Sequence, residues 1–195
     1  MDNNQDFAIA NSRPKGGNDS RLNQEFLKTL QIILKNQWET HPPEWFITIQ
    51  WSPAPYEYQV ASGHCRHFKN KLLTAIYSCN LKKLPPPEDR CKFIWFHERA
   101  RDPNNRLIYH SHLHLTKPTR IISGHHLQWI IQTKVAPGFR CLKHLHRQQD
   151  PGVVIRHWNN DQHAFYNLKD HYRHRHQQDA DLVLDYMTSD LMLSK

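Results

Sequence analysis

Apolar positions along this chain recur first with a helical period, then in short extended runs, then with a helical period again, and this alternation predicts its elements. Leu22, Phe26, Leu30, Ile33, Leu34 and Trp38 follow at three- and four-residue steps. They predict a helix over 21–39 that Asp19 or Ser20 caps and His41-Pro42-Pro43 ends. The run Trp45-Phe46-Ile47-Thr48-Ile49-Gln50-Trp51, aromatic and β-branched and stopped by Ser52-Pro53, predicts a strand. Phe68, Leu72, Leu73, Ile76 and Tyr77 return to helical spacing and predict a second helix over 62–80. A rigid Pro85-Pro86-Pro87 connector follows. Strands are predicted over 92–98 and 107–115, joined by the turn-forming Arg101-Asp102-Pro103-Asn104-Asn105-Arg106 into an antiparallel hairpin. Residues 124–135 fit strand and helix equally; strands follow at 140–146 and 153–158, then a helix from Asn160 or Asp161 through Tyr172. The polar segment 1–20 has little to bury and is expected as a disordered leader. The order of elements predicts an α+β protein, a central antiparallel sheet with flanking helices.

Composition narrows what such a chain does. Its 195 residues, 38% of them hydrophobic, suffice for one core. The formal charge of +8 favours a polyanionic partner, nucleic acid first and an anionic membrane second. No apolar run approaches the roughly 20 residues of a membrane span, and the polar N-terminus lacks a signal peptide's apolar centre, so a cytoplasmic location is expected. Cys65, Cys79, Cys91 and Cys141 form no CxxC pair and are expected as reduced, structural thiols. Trp95, Trp129 and Trp158 are expected in the core, and His64, Cys65 and His67 as ordinary helix residues.

Sixteen histidines are a clear excess, and the hairpin concentrates them. On an extended strand alternate side chains share a face, which groups His110, His112 and His114 against Tyr109, Ser111, Leu113 and Leu115. Histidines two residues apart on a strand lie about 6–7 Å apart at Cα, close enough to converge on one cation. The preceding strand ends in Phe96-His97-Glu98, so pairing can bring Glu98 beside them. Two imidazoles and one carboxylate leave open positions on a divalent ion; Mn²⁺ or Mg²⁺ suits that mixed set, and zinc fits it too. The third ligand stays open among Glu98, His97 and His110, because the pairing register decides it. The same alternation also describes the polar face of an exposed strand. A second pair, His144 and His146, follows no carboxylate-ended strand.

Further along, Tyr166 and Lys169 lie three residues apart and share a face of the predicted helix. A phenol with pKa near 10 becomes a useful nucleophile when positive charge stabilises its phenolate, which Lys169 or the metal can supply. Tyr172, six residues on and about 600° around the helix, faces away.

Taken together, three segments resemble the HUH endonucleases. Trp45-Phe46-Ile47-Thr48-Ile49 is similar to their first, aromatic-hydrophobic-Thr-hydrophobic motif; His112-Leu113-His114 to their His-hydrophobic-His motif, here preceded by Glu98; and Tyr166-Asn167-Leu168-Lys169 to the Tyr-x-x-Lys motif of the single-tyrosine replication initiators. Tyrosine after histidines is the initiator order; relaxases run the other way. The resemblance spans roughly 44–172 and implies a ferredoxin-like, RRM-like nuclease domain over 44–176, between an N-terminal helix ending near 43 and a helical tail over 177–195. It implies that His112, His114 and Glu98 hold the metal. Tyr166 then attacks a single-stranded or hairpin DNA phosphate to leave a 5′-phosphotyrosine, and Lys169 assists. Thr48, Arg173 and Arg175 would shape or contact the DNA path. The chain lacks a P-loop, so replication of a plasmid, phage or mobile element would need a host helicase and polymerase. An HUH-type transposase and a non-catalytic DNA-binding protein on the same sheet are the alternatives.

Overall fold

A computed structural model describes residues 29, 32–118, 120–121, 123–142, 152–158, 182–185 and 188–191. The chain divides into two compact units, 1–39 and 40–195. The described part of the first is helical, within a helix over 32–40 that agrees with the predicted one and carries a Lys35–Glu39 pair one turn apart. The leader, the 140–146 strand beyond Leu142 and the Tyr166 helix lie outside the described residues.

The second unit is α+β. Strand β1 (Pro43–Ile49) leads to helix α1 (Tyr58–Tyr77), then β2 (Phe93–Arg101) and β3 (Leu107–Thr116), helix α2 (Gly124–Ile130), β4 (Val153–His157) and β5 (Leu182–Leu184). The sheet order is β4-β1-β3-β2-β5, and every neighbouring pair is antiparallel. Strand–helix–strand, hairpin, helix–strand connectivity with this order is compatible with a ferredoxin-like arrangement. No helix among the described residues is long and apolar enough to cross a membrane.

The core lies between one sheet face and the helices. Trp45, Ile47 and Ile49 of β1, Phe93 and Trp95 of β2, and Leu113 and Leu115 of β3 point into it. Against them α1 lays Cys65, Phe68, Leu72, Leu73 and Ile76, a stripe at helical spacing. Helix α1 starts four residues before the predicted Ser62, because Ala61 continues that buried stripe back one turn. It stops at Ser78, which takes the left-handed conformation (φ 53°). The ambiguous 124–135 stretch is helical. Ser123 caps α2 by accepting from the His126 N–H at 3.2 Å, and Leu127, Ile130, Ile131 and Val135 bury one face through a following π-helical turn. A methyl group on Gly124 would sit 2.9 Å from the Trp45 ring, so only glycine lets α2 start this close to β1.

Two expectations are corrected here. Trp129 is 53% exposed, on the side of α2 away from Leu127 and Ile130, whereas Trp95 is fully buried as expected. Within the tail expected to be helical, Leu182–Leu184 is a strand, because the open edge of β2 offers unpaired backbone groups at Phe96, His97 and Glu98. All four cysteines are free thiols, with Cys65 and Cys91 buried.

Candidate functional site

Because neighbouring residues on a strand point to opposite faces, the sheet presents a second surface away from the helices. It carries Phe46 and Thr48 from β1, Ile94, Phe96 and Glu98 from β2, and His110, His112 and His114 from β3. The predicted hairpin forms, with β2 running three residues further than expected. Asp102 holds its turn by accepting from the backbone N–H groups of Asn104 and Arg106, at 2.9 and 2.8 Å, and Asn105 takes a positive φ of 62°. That turn sets the register. Glu98 pairs with His110, Phe96 with His112 and Ile94 with His114, so Glu98 is the diagonal neighbour of His112.

The contact is direct: Glu98 Oε2 lies 2.9 Å from His112 Nε2. The hydrogen bond from His112 holds the Glu98 carboxyl below the usual carboxylate range; partial burial pushes the other way, and the charges of His112 and His110 add to the lowering. An ionised carboxylate only accepts, so the Nε2–H of His112 donates to it. The Thr48 hydroxyl lies 3.2 Å from Nδ1 on the neighbouring strand, donating to it in the neutral ring and accepting from it in the charged one. Thr48 therefore orients the His112 ring, a role its place in a strand motif did not reveal.

The other predicted donors are placed differently. His114 is fully buried, its ring centroid 5.6 Å from Phe46, 4.7 Å from Phe96 and 4.5 Å from Trp158. His110 stands across from Glu98 on the same face. His97 is excluded as a ligand here, because it points to the helix side and both ring nitrogens are engaged there. Among the described residues no three His, Cys, Asp or Glu side chains stand together as a metal-holding group. The donor chemistry thus fits a divalent cation at two positions, His112 and Glu98. Tyr166, Lys169, Arg173, Arg175, His144 and His146 lie outside the described residues. His64 and His67 pack on aromatic rings, 5.1 Å from Trp51 and 4.6 Å from Phe139, as ordinary helix residues.

Beneath the sheet runs a chain of polar groups that the sequence pattern did not suggest. Trp51 Nε1–H donates to Ser111 Oγ at 2.8 Å, and Ser111 Oγ lies 3.0 Å from His97 Nδ1. His97 Nε2 is 3.1 Å from Asp185 Oδ2, and Asp185 Oδ1 accepts from the Tyr58 hydroxyl at 3.1 Å and the Thr188 N–H at 3.2 Å. Ser111, His97 and Asp185 are fully buried. Burial alone would raise the Asp185 carboxyl, but the hydrogen bond and charge contact with His97, together with hydrogen bonds from Ser62 and Thr188, outweigh it and leave the group below its ordinary value.

No protein-family model, curated protein or solved structure matches this chain.

Proposed function

We propose that this chain nicks and rejoins single-stranded DNA in the manner of the HUH endonucleases, on a ferredoxin-like sheet, with Tyr166 as the nucleophile. The observation that carries the reading is the Glu98–His112 contact of 2.9 Å on the face that also holds His110 and His114. It joins two of the three groups that the motif resemblance names as metal donors. The net charge of +8 and the exposed Arg101 and Arg106 at the hairpin tip suit a phosphate backbone.

In this proposal His112 and Glu98 hold a divalent cation, Mn²⁺ or Mg²⁺, with His114 or His110 as third donor. When bound, the cation supplies Lewis-acid polarisation of the scissile phosphate. The Thr48 hydroxyl serves His112 in either tautomer, donating to bare Nδ1 or accepting from Nδ1–H. Tyr166 releases its phenol proton to solvent and Lys169 steadies the phenolate, whose oxygen attacks phosphorus; the bond from phosphorus to the 3′ oxygen breaks and that oxygen takes a proton from solvent to leave as a 3′-hydroxyl. A 3′-hydroxyl attacking the resulting 5′-phosphotyrosine reverses the step and returns the phenol. Arg173 and Arg175 follow the DNA backbone, and a host helicase and polymerase extend the freed end.

Incubation of the full chain with a labelled single-strand DNA pool and Mn²⁺ tests this. A covalent protein–DNA adduct is expected, absent in Tyr166→Phe and in the variant with His112 and His114 both changed to Ala. An adduct that persists in either variant refutes the mechanism. The full burial of His114 under three aromatic rings favours one second reading, a DNA-binding protein that does not cut. Retained binding of single strands with no cleavage of any would select it.

A further inference from the structure

We propose that Asp185 and His97 are positioning residues: by holding the His97 ring under the sheet they hold Glu98 above it, against His112. The inference rests on the reading of Glu98 and His112 as the working pair. Its physical basis is the strand itself. Residues 97 and 98 must point to opposite faces, so a clamp on one side chain fixes the direction of the other.

The clamp is buried: the Ser111, His97 and Asp185 side chains are all fully enclosed. Trp51 Nε1–H donates to Ser111 Oγ, Ser111 Oγ and His97 Nδ1 share a hydrogen bond, and His97 Nε2–H donates to Asp185, so the four side chains are linked in one buried chain. A one-residue slip of β2 would turn His97 out to the histidine face and carry Glu98 into the helix layer. Asp185 would then be a buried carboxylate without its imidazole partner. Asp185 is brought to this place by the C-terminal segment, which contacts β2 between Phe93 and Glu98. Leu184 pairs with Phe96 and Leu182 with Glu98; Asp185 N–H donates to Trp95 O at 2.9 Å; Ser189 Oγ accepts from Trp95 N–H at 2.8 Å; and Asp190 accepts from Phe93 N–H at 3.0 Å. A residue 87 positions beyond Glu98 in the chain thereby sets where Glu98 points.

The order Ser111, His97, Asp185 repeats that of a hydrolase triad, but it cannot act as one. All three side chains are fully buried, and Ser111 Oγ already accepts from Trp51. Their accessible consequence is the carboxylate on the other face.

The test uses full-length protein with ¹⁵N-labelled histidine. His112→Gln identifies the His112 ring signals, and Glu98→Gln defines their position when the pair is broken. In metal-free protein Asp185→Ala is expected to move the His112 signals towards the Glu98→Gln position, while Asp185→Asn, which keeps an acceptor of the same size, leaves them near wild type. Mn²⁺ affinity measured by electron paramagnetic resonance is expected to fall about tenfold in Asp185→Ala and to recover in Asp185→Asn, the usual effect of removing support from a metal ligand. If Asp185→Ala does not fold, Ser111→Ala removes the other end of the clamp at little loss of volume and is expected to shift the same signals. Unchanged His112 signals in a folded Asp185→Ala or Ser111→Ala protein overturn the proposal. Failure of the metal reading looks different: wild type then binds no Mn²⁺, while the ring signals still report whether Asp185 positions Glu98.

Discussion

Asp190 offers a quantitative test of how tightly the C-terminal segment closes the sheet. One oxygen of its carboxylate lies 2.5 Å from Lys69 Nζ on α1, and the other accepts the Phe93 N–H at 3.0 Å. The Lys69 and Asp190 side chains are 17% and 34% exposed, between a solvated pair and a buried one. Exposed pairs are worth about 0.2–1 kcal/mol, and breaking a fully buried pair costs about 3–5. Removing the charge alone, in Asp190→Asn, should therefore cost about 1–2 kcal/mol, since Lys69 keeps its bond to Thr188 O at 2.9 Å. Asp190→Ala also strips the acceptor from Phe93 N–H and should cost about 1–2 kcal/mol more. A total near 3 kcal/mol lowers Tm by roughly 6–12 °C in a chain of this size. Urea unfolding followed by tryptophan fluorescence measures both steps. A double-mutant cycle with Lys69→Met isolates the pair, with an expected coupling of about 1 kcal/mol. An Asp190→Ala protein within about 0.5 kcal/mol of wild type, or a coupling near zero, would refute the idea that this segment is bound to the sheet by these contacts.

Further outcomes follow from the same packing. Asp185 has a folded-state pKa below its unfolded value, so its contribution is fully present above about pH 4 and is lost as pH falls through the folded value. In acid titration of stability, Asp185→Asn should be destabilised at neutral pH and should show a shallower fall below pH 4; an unchanged slope contradicts the assignment. Burial pushes the Cys91 thiol up to about 12 and raises that of Cys65 as well. At pH 8 both should resist iodoacetamide in the native protein while half-buried Cys79 reacts first, read by mass spectrometry; early labelling of Cys65 would contradict the core. Phe68 is fully buried, with its ring edge-on to Trp95 at 5.9 Å. Phe68→Ala should cost about 3–5 kcal/mol in urea unfolding, and a loss below about 1 would mean the helix layer is not packed as described.

Local periodicity was enough to define most elements. The stripe on α1, the run from Trp45 to Ile49 and the two strands flanking Asp102–Arg106 each follow from which neighbours are apolar, since burial of one face imposes period 3.6 or period 2. The same alternation grouped His112 with His114 and, read consistently, separates His97 from Glu98. The 124–135 stretch was undecidable by periodicity alone; Ser123 capping and the fit of α2 on Trp45 decided it. Tertiary structure alone decided the rest. The Asp102 turn set a register that puts Glu98 diagonal to His112, because pairing depends on turn geometry and not on composition. It hid His114 under Phe46, Phe96 and Trp158, left Trp129 at the surface, and brought Asp185 to His97 across 88 positions. A three-residue strand such as Leu182–Leu184 carries too few residues for a pattern of its own. Its conformation comes from the edge of β2 that it completes.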